Sequence, residues 1–461
     1  MTLPRRKHIL LTVTQDCNLD CVYCYQNYKS KRSMPFSVAM AALERHIISS
    51  DSHDEVQIEF SGGEPFLRFK LIRQIAESVW SKAWPKPYFL FATTNGTLIH
   101  GRIKEWLSEN KQRFTLALSL DGTREMHNIN RSSSFDRIDW NFFRTSWPKQ
   151  SVKMTVSQYT LPKLAEGVKF LHSLGFNIEG NLAHGLDWSD PENISILSEQ
   201  LDELISYYVD NPTLEPCGLL SMDIRWAAID TVPIKKWCGT GTDMVAVDVD
   251  GKDYPCHLFE PASLGVQAKT TAEMDFTDVS SLRDNRCDGC PLLPICPTCY
   301  GINLLKNGNP AIRESALCTL SKVRALACSK MHALKLQSSS QLAIENQESA
   351  SSQYQLIGAI NKIQSAIPPT IHQAERNEIF DSLVLKPSVI AWLSENQQLL
   401  LSRFPNLSLR NEDVTSAQSY EAGCKGCSGS CSGDCQGSCS GDCAGGCTAA
   451  CASGCICPVI Q

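Results

Sequence analysis

The chain has 461 residues, 43% of them hydrophobic and 20% charged, with a formal net charge of −6 at pH 7. That length is enough for two or three domains with a sizeable buried core, and the composition is ordinary for a soluble protein. The mild acidity gives no sign of a nucleic-acid or membrane-surface partner, and no apolar run approaches the ~18–20 residues of a membrane span.

The opening stretch MTLPRRKHILLTVTQD sets basic residues before a short apolar run that leads straight into Thr14-Gln15-Asp16. It reads as a first buried strand over 8–13 rather than as a signal peptide. A cytoplasmic location follows from that reading, and disulfides rarely persist there. The 22 cysteines fall in three clusters, which in that compartment favours metal or Fe–S ligation or catalysis.

Directly after the first strand, CNLDCVYCY places Cys17, Cys21 and Cys24 at Cys-x3-Cys-x2-Cys spacing. Three thiolates this close can hold three irons of a cubane and leave the fourth iron open, whereas most Fe–S electron carriers use four cysteines. A helical pattern over 37–49 leads to an alternating strand over 56–60, which ends in FSGGEPFL. The glycines of that turn permit close backbone approach. A helix over 67–83, a strand over 88–93 ending in TTNGT, and a helix over 103–109 come next. The strand over 115–120 opens LALSLDGTREMHNINR. A strand over 152–156, a helix over 164–174 and a strand over 176–181 complete the series, the helices carrying apolar residues at three-and-four spacing. Strands alternating with helices predict an α/β fold, a parallel sheet with helices outside.

These motifs, in this order and each at a strand end, resemble the radical S-adenosylmethionine (SAM) superfamily. The resemblance implies a partial (β/α)6 barrel with its ligands at the C-terminal strand ends. It implies a [4Fe-4S] cluster on Cys17, Cys21 and Cys24 with SAM at the open iron. Cofactor-binding roles would fall to Gly62, Gly63 and Glu64, whose backbone in the family contacts the SAM amino group, and to Ser119 and Asp121. The peptide-modifying members' His-Asp pair reads His127-Asn128 here, so that position is given no role. The implied chemistry is one-electron cleavage of SAM to a 5′-deoxyadenosyl radical that removes a hydrogen from an unactivated C–H bond, the protein supplying orientation and exclusion of water. An electron donor such as a flavodoxin or ferredoxin is implied with it.

The middle cysteines are Cys217, Cys238, Cys256, Cys287, Cys290, Cys296, Cys299, Cys318 and Cys328. Asp250-Gly251, between alternating apolar residues, predicts a hairpin turn that brings Cys238 and Cys256 together. Taken alone, CDGC…CPTC would fit a zinc ribbon. Beside the N-terminal motifs the array resembles the SPASM extension of peptide-modifying radical SAM enzymes, a small Cys-rich Fe–S domain. That resemblance implies two auxiliary [4Fe-4S] clusters, one on Cys287, Cys290, Cys296 and Cys318, the other on Cys238, Cys256 and Cys299. Two departures stand out. Only two residues separate Cys296 from Cys299, where the family has three, and the second set lacks an obvious fourth ligand, for which Cys217 is the candidate. An open iron there could take a substrate thiolate. Cys328, on a helical pattern, reads as a buried small residue.

After about residue 335 the sequence turns polar and linker-like. Short helical patterns return over 354–366 and 387–403. Then a cysteine stands at every fourth position: Cys427, Cys431, Cys435, Cys439, Cys443, Cys447, Cys451 and Cys455. Gly, Ser, Ala and Cys cannot bury a core unaided, and glycine at ~1 kcal/mol against alanine disfavours a free helix. A disulfide scaffold, a metal store and a substrate are the competing readings. Enzymes of the SPASM type commonly modify ribosomal peptides that have a leader and a core, and residues 354–420 and 424–461 look like these two parts. The chain therefore reads as a thioether-forming maturase acting on its own tail or on a similar Cys-rich peptide, fusion raising the effective concentration. A sulfatase-maturase-like oxidase is the rival from another enzyme class, and a Cys-rich metal-binding protein the non-enzymatic one. The expected divisions are 1–215 for the barrel, 216–335 for the SPASM-like domain, 336–423 for linker and leader, and 424–461 for the tail, with a largely flexible C-terminal extension.

Overall fold

In the computed structural model of the chain, the residues described are 5–49, 52–184, 186–228, 236, 238–338, 352, 355–360, 362, 363 and 367. Most of the expected leader and all eight tail cysteines named above lie outside them.

Six strands succeed one another along the first part of the chain. β1 (Arg6–Thr14), β2 (Glu55–Gly62), β3 (Tyr88–Thr94) and β4 (Phe114–Leu118) pair in sequence order, all parallel. β5 (Val152–Val156) and β6 (Ile178–Leu182) form a second parallel pair. A parallel bridge between Ser119 and Lys153, with the Leu120 N–H on the Lys153 carbonyl at 3.0 Å, links β4 to β5. The crossovers are α1 (Phe36–Ile48), α2 (Phe69–Ser81), α3 (Gly101–Asn110), the short α4 (Arg124–Asn130) and α5 (Trp140–Ser146), and α6 (Leu164–Ser173). This is the expected α/β architecture, with element limits displaced by a residue or two. One displacement has a specific cause. Pro65 and the Glu64 carboxylate, which accepts the Phe66 N–H, set a 3-10 turn over Pro65–Arg68 before α2 begins.

Strand composition follows from where each face looks. In β1, Ile9, Leu10, Leu11 and Val13 are all buried, as in a strand covered on both sides. In β2, Val56, Ile58 and Phe60 are fully buried on one face, while Glu59 and Ser61 on the other line a cavity. α2 buries Ile72, Ile75, Ala76 and Val79, one stripe of an amphipathic helix.

Two features were not anticipated. α7 (Pro191–Asp210) follows β6, with Asp190 capping its start and Leu197, Leu201, Leu204, Ile205 and Tyr208 buried at helical spacing. And the predicted hairpin, β7 (Met244–Val247) and β8 (Asp253–Tyr254), joins the main sheet: β7 runs parallel to β1, His8 opposite Met244, giving the order β4-β3-β2-β1-β7-β8. Gly251 takes φ +82° in the turn, and Asp248 Oδ1 accepts from the N–H groups of Asp250 and Lys252. The Cys-rich segment thus shares a core with the barrel, in which Leu10 packs with Ala246, Tyr254, Leu258 and Phe259.

α8 (Pro261–Leu264), α9 (Tyr300–Asn307) and α10 (Ser315–Ser338) complete the elements named. The chain divides into two compact units. The first comprises Met1–Met222, Ile234–Gly289 and Cys296–Arg324, and the second Asp223–Pro233, Cys290–Ile295 and Ala325–Gln461. Both cavities considered below lie within the first.

Candidate active site

Cys17, Cys21 and Cys24 sit on the loop after β1 and line one cavity of about 310 Å³. Its wall is built from the C-terminal ends of successive strands: Gly62 to Glu64 after β2, Thr94 and Asn95 at β3, Ser119 after β4, Lys153 and Thr155 on β5. No disulfide joins the three thiols, and burial pushes Cys21 up to about 11. Among the described residues no three Cys, His, Asp or Glu converge on one point as the ligands of a single ion would. Three thiolates that each take a different iron of a cluster stand further apart, and this donor set fits that demand. Iron replacing the proton would stabilise the thiolate that burial disfavours.

The Gly-Gly-Glu turn is held against the cysteine loop. A Cβ on Gly62 would lie 2.0 Å from the Thr14 carbonyl oxygen, and one on Gly63 2.2 Å from that of Asp16. Gly62 also takes φ +140°. The N–H groups of Gly63 and Glu64 donate to those same two carbonyls, at 3.1 and 2.9 Å. So the glycines serve first the approach of one backbone to another. Of the turn's own carbonyls, that of Gly62 accepts from Gln26 Nε2 and that of Glu64 from the Leu67 N–H, both at 3.2 Å. Glu64 is 1% exposed, and its carboxylate accepts from Thr94 Oγ1 and the Asn95 N–H, both at 2.8 Å, and from the Phe66 N–H. Burial pushes this carboxyl up to about 7 against the pull of those donors.

Ser119 lines the cavity, while Asp121 lies behind its wall. The Asp121 carboxylate is fully buried and accepts from Tyr23 Oη (2.6 Å), Arg131 Nε (2.9 Å), Asn130 Nδ2 (3.2 Å) and the Thr155 N–H (2.9 Å). It fixes Tyr23 of the cysteine loop and Arg131, both of which do face the cavity. His127 is buried, with Nδ1 accepting from the Asp121 N–H and Nε2 beside Ser134 Oγ. Burial pulls it down to about 4, so it is neutral at pH 7. Asn128 Oδ1 caps the Phe135 N–H, which gives the departure from His-Asp a local structural use.

A second cavity of about 300 Å³ is lined by Cys238, Cys256 and Cys299, by Cys296 and Cys318, and by Asn181, Leu182 and His184 at the end of β6. Charge on Cys238 acts on both Cys256 and Cys299, and burial pushes Cys299 up to about 11. Arg313 Nη1 donates to Cys296 Sγ at 2.6 Å, and Cys287 and Cys318 also act on that arginine. Members of both expected sets thus line one cavity, while Cys287 does not line it and Cys290 falls in the second unit. Cys217 is completely buried, its N–H on Tyr208 Oη, and does not line this cavity. Cys328, also buried, belongs to the second unit.

Residues 11–142 match the profile of the Radical SAM superfamily. They form a Radical SAM domain. An uncharacterized protein of Methanocaldococcus jannaschii is 32% identical over 176 residues, 37% of this chain and 59% of that protein. A cysteine-type anaerobic sulfatase-maturating enzyme of Clostridium perfringens is 32% identical over 138 residues, 28% of this chain and 36% of that enzyme. The chain thus spans little over half of the one relative and about a third of the other. In fold, it resembles the solved structure of anSMEcpe with bound AdoMet and Cp18Cys peptide, at TM-score 0.54 and 19% identity over 70% of this chain and 97% of that one.

A Radical SAM domain uses SAM and a [4Fe-4S] cluster, which together supply the radical when bound. Cys17, Cys21 and Cys24 would hold the cluster, and Gly62, Gly63, Glu64, Ser119 and Arg131 line the same cavity. Glu59, Lys153 and His257 of this wall escaped the sequence reading, and Arg131, which closes the LALSLDGTREMHNINR stretch, was given no role there. Burial alone would push the Glu59 carboxyl up, yet the hydrogen bond with His8, at 2.7 Å, holds it below the ordinary value. His257 lines both cavities, its ring 5.2 Å from that of Tyr25 and its buried Nδ1 without a hydrogen-bond partner among the described residues. Glu59 could have been found by strand parity, since it alternates with the buried face of β2. Nothing local marks His257.

Proposed function

We propose that the chain is a radical SAM peptide maturase that joins cysteine thiols of a Cys-rich peptide to carbon as thioethers. The observation that carries this reading is the arrangement of the two cavities: the SAM side and the Cys238–Cys256–Cys299 side share His257 in their walls. A substrate thiol at the second would stand near the radical at the first. The same chain carries the run of cysteines from Cys427 to Cys455, a substrate of the required kind, in cis or as the pattern of a partner in trans. The likeness in fold to a protein solved with a peptide bound supports a peptide substrate.

The balance is simple. Each crosslink removes one C–H and one S–H hydrogen and makes one C–S bond. One hydrogen atom passes to the 5′-deoxyadenosyl group. The other leaves as a proton and an electron, and auxiliary clusters, which the middle cysteines would hold, would supply the electron acceptor. A flavodoxin or ferredoxin supplies the initiating electron. No helix among the described residues is long and apolar enough to cross a membrane.

Oxidation of a Cys or Ser in a partner protein is the second reading, favoured by the sulfatase-maturating relative. Intact mass after SAM turnover separates the two. Thioether formation takes two hydrogens per crosslink from the tail and leaves thiols that resist alkylation after reductant, because thiol exchange attacks S–S and not C–S bonds. A tail in which every cysteine still alkylates after demonstrated SAM cleavage sinks the proposal.

A further inference from the structure

We infer that the second compact unit is the grip for the peptide: it holds in cis, as a docked helix, the stretch of chain that leads towards the Cys-rich tail. The inference rests on the peptide-maturase reading above and adds where the peptide is recognised. Gln355–Ile360, Lys362 and Ile363 are helical. Ile357, Ile360, Ile363 and Ile367 are each 6% exposed or less, and Ala359 is fully buried. Spacings of three, three and four residues set these isoleucines on one face. Peptides that enter apolar grooves as amphipathic helices are anchored in this way, at every third or fourth residue.

The same unit contains the C-terminal part of α10, from Ala325, and the 3-10 turn Ile224–Ala228. No residue of α10 between Ala325 and Lys335 is exposed, and the successive residues Ala327, Cys328 and Ser329 are all buried. A helix open to solvent on one side buries a single stripe, so this part of α10 is covered on more than one face. The turn supplies one cover, since the charges of Asp223 and Arg225 act on His332 of α10. Arg225 also reaches the docked stretch. Its Nη1 donates to Ser352 Oγ at 2.8 Å, while the Asp223 carboxylate holds its Nε and Nη2. The isoleucines that follow Ser352 are buried within this same unit. About sixty residues separate Ile367 from Cys427. Sixty extended residues span at most about 200 Å, so chain length does not bar a tail cysteine from a distant cavity. One grip outside the repeat can then serve all eight cysteines in turn, and it stays the same while the repeats are altered.

The test uses the full chain with a protease site inserted between residues 340 and 350, reconstituted anaerobically and then cut. We expect the C-terminal fragment to co-elute with the N-terminal one on size exclusion. Ile360→Asp combined with Ile363→Asp should release it, with affinity at least about tenfold weaker, because a carboxylate cannot replace the buried apolar contact. Arg225→Ala, which removes the bond to Ser352, should weaken retention less. SAM cleavage with dithionite should persist in these variants, while the SAM-dependent mass change of the tail falls in the uncut Ile360→Asp/Ile363→Asp chain. A fragment that separates freely from the cut, unsubstituted protein overturns the docking. Loss of SAM cleavage along with the fragment makes the stretch part of the enzyme's own framework and overturns the grip. Full tail modification in the uncut double variant overturns it as well. A fragment held by the unsubstituted protein and released by the double variant, with no mass change in any tail, supports the grip and overturns the thioether reading instead.

Discussion

Asp121 accepts four hydrogen bonds and lines neither of the two cavities described, yet it decides where Tyr23 and Arg131 stand. Its partner Arg131 is itself 7% exposed. Changing Asp121 to Ala would leave a buried guanidinium unpaired, a change of about 3–5 kcal/mol by the measure of buried ion pairs. Denaturant unfolding of the variant should show a loss of that order, and a loss under about 1 kcal/mol would refute the role. Gly63→Ala faces a different obstacle, because the new methyl would meet the Asp16 carbonyl at 2.2 Å. Overpacking of this kind costs about 1–3 kcal/mol, and here it also pushes the cysteine loop away from the turn. SAM binding by equilibrium dialysis should fall well below that of the unsubstituted protein; unchanged binding would contradict the close approach. A third expectation concerns pH. Glu260 is fully buried, with Thr12 Oγ1 2.8 Å from both carboxylate oxygens, and burial pushes its carboxyl up to about 8. A folded-state value above the ordinary 4.5 means its contribution to stability is fully present below about 4.5 and is lost as pH rises through about 8. Unfolding free energy should therefore decline across that window, and the decline should shrink in Glu260→Gln. An identical slope in the variant would count against it.

At the scale of elements, β1 is the strand on which the site depends. It holds β2 on one edge and β7 on the other, and its C-terminal end delivers the cysteine loop. Without β7, the backbone from His8 to Leu11 would present an open edge, and Leu10 would lose Ala246, Tyr254 and Phe259 from its core. Open, flat, apolar edges aggregate. Residues 1–222 expressed alone should accordingly fail to give a folded monomer, as judged by size exclusion and limited proteolysis. A monomeric, protease-resistant fragment would show that the hairpin is dispensable to the barrel.

For the whole molecule, the question is how many clusters there are and what they act on. Three cubane clusters amount to about twelve irons per chain, and replacing Cys17, Cys21 and Cys24 together should remove about four of them and abolish 5′-deoxyadenosine formation. Iron near four in the unsubstituted, fully reconstituted protein would remove the auxiliary pair. For the tail, Cys431→Ala and Cys439→Ala should each lose one crosslink while SAM cleavage persists, since neither residue belongs to a proposed cluster. Mass spectrometry of the alkylated tail reads this directly.

Some of this was determined by the sequence alone, and the reason is chain connectivity. Cys-x3-Cys-x2-Cys brings three thiols together in any loop that short, and β2 alternates because a pleated strand can only present alternate residues to each face. The Asp250-Gly251 turn was legible for the same reason, since four consecutive residues settle it. α7 carried its period openly and was missed only because no motif drew attention to it. Other features were decided by the tertiary structure. That Gly62 and Gly63 meet backbone, that Asp121 faces away from the cavity, and that β7 pairs with β1 all depend on the register in which distant strands align. His257 joins two cavities because β7 lies parallel to β1, placing a residue from beyond position 250 opposite Tyr25. Residues so far apart along the chain meet only once the sheet has closed around them, and no local pattern carries that information.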